Sequence, residues 1–227
     1  MDSRRHLLII ASILSAMWPT WLWYGARMTD GSDEPYGILA LLAGGFLLWR
    51  DRHTLEPTLK RMVIAIGLLL VTSVFHHLLP NLITGLAAVF ILALAWGNPF
   101  RNLGIWALLV LALPLIASLQ FYLGYPMRLI AAVSAEMILN CFGQEIARSG
   151  TLLMWQGSQV GVDPPCSGIG MLWLGLFLAA LLCGLKRYPP STFLVVMITA
   201  MVAIVAANAI RVTLLFLKES DQVSLPD

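Results

Sequence analysis

Charged residues are scarce in this chain, and their scarcity decides the broad class of the protein. Asp, Glu, Lys and Arg make up only 11% of its 227 residues, whereas hydrophobic residues make up 59%. An ordinary soluble domain carries about 25% charged residues, so the composition excludes that class. The few charges fall in short loops rather than on one basic face, which gives no support to nucleic-acid binding. We therefore expect an integral membrane protein.

Cysteine is also scarce, and its pattern argues against a metal site. The three cysteines include no Cys-x-x-Cys pair and have no zinc-ligand spacing, so we expect neither a metal nor another cofactor. Cys183 falls inside an apolar run, as a small hydrophobic filler does. Cys141 ends an amphipathic stretch, and a disulfide between Cys141 and Cys166 is an open alternative.

What the chain has in abundance is apolar runs separated by short polar breaks. Runs of roughly 15 to 28 residues predict membrane-spanning helices, and the eight tryptophans suit the membrane interfaces. No linker divides the chain, so we expect residues 1–227 to form a single integral membrane domain. The predicted spans are residues 7–24, 36–49, 62–79, 82–96, 103–122, 169–185 and 191–217.

Basic residues orient these spans, because loops rich in Lys and Arg stay on the cytoplasmic side. Arg4 and Arg5 place the N-terminus in the cytoplasm. The loops that carry Arg50 and Arg52, Arg101, and Lys186 and Arg187 should lie there as well. If residues 126–142 also crossed the membrane, Lys186 and Arg187 would lie outside. We therefore predict that residues 126–142 form an amphipathic helix on the outer face. Its apolar pattern is interrupted by Arg128, Ser134, Glu136 and Asn140.

This topology places the loop of residues 143–165 outside the membrane. Within it, residues 150–162 combine glycines with residues that favour strands, which predicts a short β-like lip on the extracytoplasmic side. The expected fold is therefore an all-α polytopic membrane protein. It has about seven transmembrane helices, one outer-face amphipathic helix and this lip.

The most informative motif is Asp-Pro-Pro-Cys-Ser-Gly at residues 163–168, where a polar loop becomes an apolar span. A Pro-Pro pair does not continue a helix, so Cys166 is expected at the N-terminal end of the following span. The positive end of that helix would favour its thiolate, the form in which cysteine attacks. The backbone N–H groups of Ser167 and Gly168 would hold an oxyanion formed when Cys166 attacks a carbonyl. The alternative is a purely structural cysteine.

Arg211 lies inside the last apolar run, in Asn-Ala-Ile-Arg at residues 208–211. Arginine within a membrane span is costly and usually functional, although one near a helix end can also reach the lipid head groups. The topology puts Arg211 within about two turns of the outer end, on the same face as Cys166. Asn208, one helical turn earlier, would orient Arg211.

A cysteine nucleophile normally needs a base, and histidine is a common one. Of the four histidines, the topology leaves only His76 and His77 near the outer end of a predicted span. Neighbouring residues on a helix point about 100° apart, so at most one of the two faces the site. The alternative is that both are interfacial residues that bind nothing.

With these motifs in view, the chain resembles the exosortase/archaeosortase family of membrane transpeptidases over most of its length. Residues 162–169 resemble the family's Cys-Ser-Gly box, residues 208–211 its arginine box, and residues 33–37 its polar loop after the first helix. The resemblance implies a Cys–Arg–His active site at the outer face of the bacterial inner membrane. Cys166 would be the nucleophile and Arg211 its electrostatic partner.

The resemblance also implies substrates, namely secreted proteins with a C-terminal, PEP-CTERM-like sorting signal. The enzyme would act as a thiol protease at the signal, form a thioester, and pass the chain to an acceptor. In many bacteria this protein sorting accompanies exopolysaccharide production. The family's histidine follows the arginine, whereas no histidine follows Arg211 here. We expect that the sequence is truncated before it; otherwise His76 or His77 would substitute.

Two other classes of function are alternatives to a cysteine peptidase. One is a non-catalytic membrane subunit of a polysaccharide or protein export system, in which Arg211 would bind membrane lipid or a partner helix. The other is a small-solute transporter, which predicts polar residues at several helix centres. This chain has few of them, and its predicted spans hold no acidic residue. The peptidase is therefore the leading hypothesis.

Overall fold

The computed structural model describes residues 3–30, 36–54, 58–156 and 158–220. Residues 33–35 of the polar-loop match and residues 221–227 at the end of the sequence lie outside this part. The described helices are α1 (Ser3–Ala16), α2 (Trp18–Thr29), α3 (Tyr36–Arg50), α4 (Leu59–Val74), α5 (Asn81–Trp96), α6 (Leu103–Ala112), α7 (Ile116–Cys141), α8 (Ile169–Lys186) and α9 (Pro190–Glu219). The strands are β1 (Ala147–Ser149), β2 (Leu152–Trp155) and β3 (Ser158–Gly161), and 3-10 turns occur at Arg52–Thr54, Pro99–Arg101 and Pro164–Ser167.

Four predicted spans are confirmed as helices with nearly the predicted ends, namely α3, α5, α8 and α9. A helix satisfies its own backbone hydrogen bonds, as a membrane-spanning segment must, because lipid tails offer no hydrogen-bonding partners. By length and composition, α9 and the segment Pro164–Lys186 can each cross a membrane. The number rises to four if each of two bent helix pairs counts as one span. The described part of the chain is thus a helical membrane protein with two to four candidate spans, and seven spans stay a prediction.

Two of the predicted spans are not continuous helices. In the first, α1 and α2 are bent by 64° at Met17, and Pro19 stands in the first turn of α2. In the fifth, the helix is interrupted between the end of α6 at Ala112 and the start of α7 at Ile116. Pro114 explains this second break, because the residue before a proline is driven out of the helical region. Leu113 is accordingly extended, with ψ of 152°.

Helix α7 corrects the predicted start of the outer-face helix. Pro126 was expected to begin that helix, but it lies inside α7, which already starts at Ile116. An internal proline removes one backbone hydrogen bond, and neighbouring groups make up this loss in membrane helices. Two polar residues of α7 hold the following strand: Glu136 accepts from Arg148 Nε at 2.9 Å, and Asn140 exchanges two hydrogen bonds with the Ile146 backbone. That α7 lies on the outer face stays a prediction.

The chain divides into two compact units, each described here by itself. The first contains the described residues of Met1–Leu115 and Phe177–Met197, and the second contains those of Ile116–Leu176 and Ile198–Asp227. In the first unit α3 packs against α6, and α4 packs against α5. The assignment of the whole chain to a single domain stays a prediction.

A buried carboxylate joins three segments of the first unit. Asp51, only 4% exposed, accepts hydrogen bonds from Arg187 Nη2, from Arg50 Nε at 3.1 Å and from Asn102 Nδ2 at 3.2 Å. Arg50 and Asn102 also donate to the carbonyl of Gly184, at 2.9 and 3.0 Å. Burial raises the pKa of the Asp51 carboxyl, but the hydrogen bonds, led by that of Arg187, outweigh burial and hold the pKa below its usual value. Three segments predicted to share the cytoplasmic side therefore meet in one cluster.

The core of the second unit lies between α7, the sheet and the C-terminal part of α9. The strands pair antiparallel in the order β1-β2-β3, with Leu153 opposite both Arg148 and Val160. The extended structure expected around residues 150–162 is thus present, while its role as an outer lip stays a prediction. The buried residues of this core are Ala131, Ala132, Ala135, Leu139, Ile146, Leu153, Val162, Val212 and Phe216.

Candidate active site

Cys166 lies in a short 3-10 turn that leads into α8. The turn covers Pro164–Ser167 and begins with a hydrogen bond from Cys166 N to Asp163 O at 2.8 Å. Gly168 then adopts the left-handed conformation with φ of 77°, and α8 starts at Ile169. Cys166 therefore lies about one turn before the N-terminus of α8 rather than at it, as the sequence predicts. The reason is local, because the two prolines favour the tight turn and the glycine redirects the chain.

Three successive carbonyls of this turn each accept a hydrogen bond from a side chain of another helix. Gln120 Nε2 of α7 donates to Pro164 O at 3.3 Å. From α9, Arg211 Nη1 donates to Pro165 O at 3.4 Å, and Asn208 Nδ2 donates to Cys166 O at 3.0 Å. We call these three donors the carbonyl clamp. The clamp ties the backbone on both sides of the thiol to α7 and α9.

Ser167 extends the clamp with its hydroxyl group. Ser167 Oγ donates to Gln120 Oε1 at 3.0 Å and accepts from Ile169 N at 3.5 Å, and the residue is only 2% exposed. Gln120 therefore binds the turn through both ends of its amide. The hydroxyl of Ser167 also caps the first backbone N–H of α8, a donor that a helix leaves unpaired. Ser167 thus contributes its side chain to positioning the turn.

Gly168 lets Asn208 reach the turn. A Cβ at this position would lie 2.6 Å from Asn208 Cγ, so no larger residue fits without a shift of that amide. The positive φ also favours glycine. Asn208 is 2% exposed, and its Oδ1 accepts no hydrogen bond from any residue described in the structure. The amide of Asn208 therefore packs against the backbone of Gly168, and this contact requires that residue 168 has no side chain.

Arg211 and Cys166 meet through the backbone of the turn. Cys166 is half-buried and packs against the core of the second unit. Arg211 is exposed, and its Nη1 also lies 3.9 Å from Met171 Sδ. Among the described residues, no hydrogen bond joins the guanidinium to the Cys166 thiol. Asn208, expected to orient Arg211, donates to the same turn instead.

The expected substitute bases lie in the other unit. His76 and His77 follow α4 in a segment of turns, with ring centroids 5.6 Å apart, and His76 lines a cavity of about 130 Å³ within the first unit. The sequence of the second unit contains no histidine. All three cysteines are free thiols, so no disulfide joins Cys141 to Cys166.

A family model for transmembrane exosortases (Exosortase_EpsH) matches residues 28–222, most of the chain. The chain belongs to the exosortase family. Exosortases are membrane transpeptidases of the cysteine type that act on secreted proteins with C-terminal sorting signals. No curated protein and no solved structure matches this exosortase significantly. The match includes Cys166, Arg211 and the carbonyl clamp.

Gln120 is the residue of this exosortase that sequence reasoning missed. It falls inside the predicted span of residues 103–122, where a primary amide is costly and signals a specific partner. That partner, the turn at Pro164–Ser167, is distant in sequence, and no periodic pattern points to it. A search for isolated polar residues within the predicted spans would have found it.

Substitution of Gly168 tests the close contact with Asn208. We expect Gly168→Ala to lower the free energy of unfolding in detergent by at least about 1–2 kcal/mol, because the left-handed backbone penalises a Cβ and Asn208 must move. Gly170→Ala is the matched control, since nothing lies within 4 Å of a Cβ there. The control should not lower the stability, because alanine forms a helix more readily than glycine. Equal effects of the two substitutions would contradict this interpretation.

Substitution of Gln120 tests the clamp itself. Gln120→Leu leaves the Pro164 carbonyl and the Ser167 hydroxyl without their partner, which costs about 1–3 kcal/mol. The protection of the amides of residues 166–169 against hydrogen exchange should therefore fall by roughly 5- to 150-fold. The control Gln159→Leu changes an exposed residue of β3 and should leave this protection unchanged. Wild-type protection in Gln120→Leu would show that the clamp does not hold the turn.

Proposed function

We propose that this exosortase is a cysteine transpeptidase that cleaves C-terminal sorting signals at the extracytoplasmic face of the bacterial inner membrane. The observation that carries the proposal is the carbonyl clamp, which holds the backbone on both sides of Cys166. A nucleophile on a fixed turn meets its substrate in one geometry, and such positioning is a large part of catalysis.

In the proposed reaction, the Cys166 thiolate attacks the carbonyl carbon of the scissile peptide bond in the sorting signal. The resulting oxyanion is held by the backbone N–H groups of Ser167 and Gly168. The C–N bond then breaks, the amine of the C-terminal fragment leaves with a proton, and a thioester with Cys166 remains. An acceptor nucleophile attacks the thioester and restores the thiol. A general base takes the proton of the thiol and passes it to the leaving amine.

Arg211 supplies the positive charge of the proposed site. A guanidinium has five N–H donors, and one of its nitrogens donates to Pro165 O. The side chain is exposed, and no described carboxylate pairs with it. Its other donors can therefore bind a substrate carboxylate or the developing oxyanion, and Asn208 holds the adjacent carbonyl of Cys166. Lysine suits this double role less well, because its ammonium lacks the planar fork of N–H donors of a guanidinium.

The distribution of charge supports the proposed orientation, with the N-terminus in the cytoplasm. Arg50, Asn102 and Arg187 come from three loops that the positive-inside rule assigns to the cytoplasmic side. These residues meet around Asp51 in the first unit. Loops can meet in this way only if they lie on the same side of the membrane. The same rule places Cys166 at the outer end of α8.

Processing of a reporter in cells tests the proposal. The reporter is a secreted protein that ends in a C-terminal sorting signal encoded in the same genome. Cys166→Ala should abolish its cleavage, and Arg211→Lys should slow it by at least about 100-fold, the usual cost of losing an oxyanion donor. Cys141→Ala, which changes an exposed cysteine, is the matched control and should process normally. Normal processing by Cys166→Ala would favour a non-catalytic membrane subunit.

A further inference from the structure

A second polar cavity lies in the first unit, and none of its residues belongs to the candidate active site. It has a volume of about 40 Å³ and is found where α5 ends, α6 begins and α8 ends. Two arginines and two tryptophans line it together with two asparagines. These residues are Arg101, Arg187, Trp96, Trp106, Asn98 and Asn102.

Asn102 brings an unsatisfied hydrogen-bond acceptor to this cavity. Its Nδ2 donates to Asp51 Oδ2 and to Gly184 O, which are both acceptors, so the orientation of the amide is fixed. Its Oδ1 is buried and accepts no hydrogen bond from any part of the chain that the structure describes. A buried acceptor without a partner costs free energy. The cavity therefore offers an oxygen that suits a ligand with a hydrogen-bond donor.

Two guanidinium groups reach the same cavity, those of Arg101 and Arg187. Asp51, which also lines it, is already paired with Arg187 and with Arg50. Arg101 is exposed, and the side chain of Arg187 is 52% exposed despite that pair, so both can also bind an anion at the mouth of the cavity. Arginine binds phosphate through several N–H groups at once.

The position of Arg187 indicates that its side chain matters. Tyr188 N donates to Cys183 O at 3.2 Å, which is the hydrogen bond of a Schellman motif at the C-terminus of α8. Arg187 is the left-handed residue of this motif, with φ of 53°. Glycine usually occupies this position. An arginine there accepts backbone strain, and its guanidinium reaches both Asp51 and the cavity.

We propose that this cavity binds the head group of an anionic phospholipid with a hydroxyl-bearing head group, such as phosphatidylglycerol. Arg101 and Arg187 bind the phosphodiester at the mouth, and a head-group hydroxyl donates to Asn102 Oδ1. A volume of about 40 Å³ holds roughly three water-sized groups. The glycerol hydroxyls fit inside this volume, whereas the larger phosphate stays at the mouth. Half-buried Trp96 and Trp106 flank the cavity, and tryptophan favours this level of the membrane. Basic pockets between membrane helices bind such head groups.

Native mass spectrometry of the purified full chain in a neutral detergent tests the proposal by measuring lipid affinities. Phosphatidylglycerol should bind at least about tenfold more tightly than zwitterionic phosphatidylcholine. Phosphatidylmethanol is the matched probe, because it has the same charge without head-group hydroxyls, and it should bind several-fold more weakly. Arg101→Gln should weaken the binding of phosphatidylglycerol by about tenfold or more, as expected for a charge-assisted hydrogen bond.

Arg52→Gln is the control for charge alone. It removes the same charge from a residue that stacks on Trp49, 4.6 Å from the ring centroid, and does not line the cavity. Its affinity for phosphatidylglycerol should stay within about twofold of wild type. Equal binding of phosphatidylcholine, or equal losses in Arg101→Gln and Arg52→Gln, would overturn the site.

Two further outcomes separate the parts of the proposal. Equal affinity for phosphatidylmethanol would overturn the role of Asn102 Oδ1, and equal affinity for soluble glycerophosphoglycerol would overturn a lipid as the occupant. A melting temperature of lipid-free Arg101→Gln equal to that of wild type verifies that the variant is folded. These readouts do not involve Cys166, so they succeed or fail independently of the proposed peptidase activity.

Discussion

The candidate site depends on one constraint, which is that three carbonyls of the short turn around Cys166 take donors from outside the turn. The turn stops at the left-handed Gly168, so its last carbonyls lack the donors that a continuing helix would provide. Polar backbone groups near a membrane need partners. The partners here are Gln120, Asn208 and Arg211, which belong to two other helices. Side chains of two other helices therefore hold the turn that carries the thiol.

This constraint links the fold to the proposed chemistry. Because the donors come from α7 and α9, packing of these helices fixes the position of the thiol. The core between α7, the sheet and α9 sets that packing, and Cys166 lies against it. Gly168 provides the room for Asn208. A residue at the tip of an ordinary loop would have no comparable support. Arg211 in this account has two tasks, since it holds a carbonyl of the turn and provides the charge beside it.

The parts of this site that could be predicted from sequence are those with a local signal. Cys166 and Arg211 stand out because their residue types are unusual where they occur, and α8 and α9 follow from long apolar runs. The break at Pro114 and the continuity through Pro126 were predicted the wrong way round, because a proline's effect depends on whether neighbouring groups replace the lost hydrogen bond. Gln120 was missed because its partners lie more than forty residues away in sequence. Such pairings are a property of tertiary packing and leave no periodic pattern.

The central claim is that Cys166 forms a covalent acyl intermediate with the sorting signal. The most direct measurement incubates the full chain in membranes with a peptide that carries the signal and then maps adducts by mass spectrometry. The account predicts an adduct on Cys166 with the mass of the N-terminal part of the peptide, and hydroxylamine should release it, as it does a thioester. Cleavage of the peptide while Cys166 is blocked by alkylation, or an adduct confined to another residue, would contradict the account.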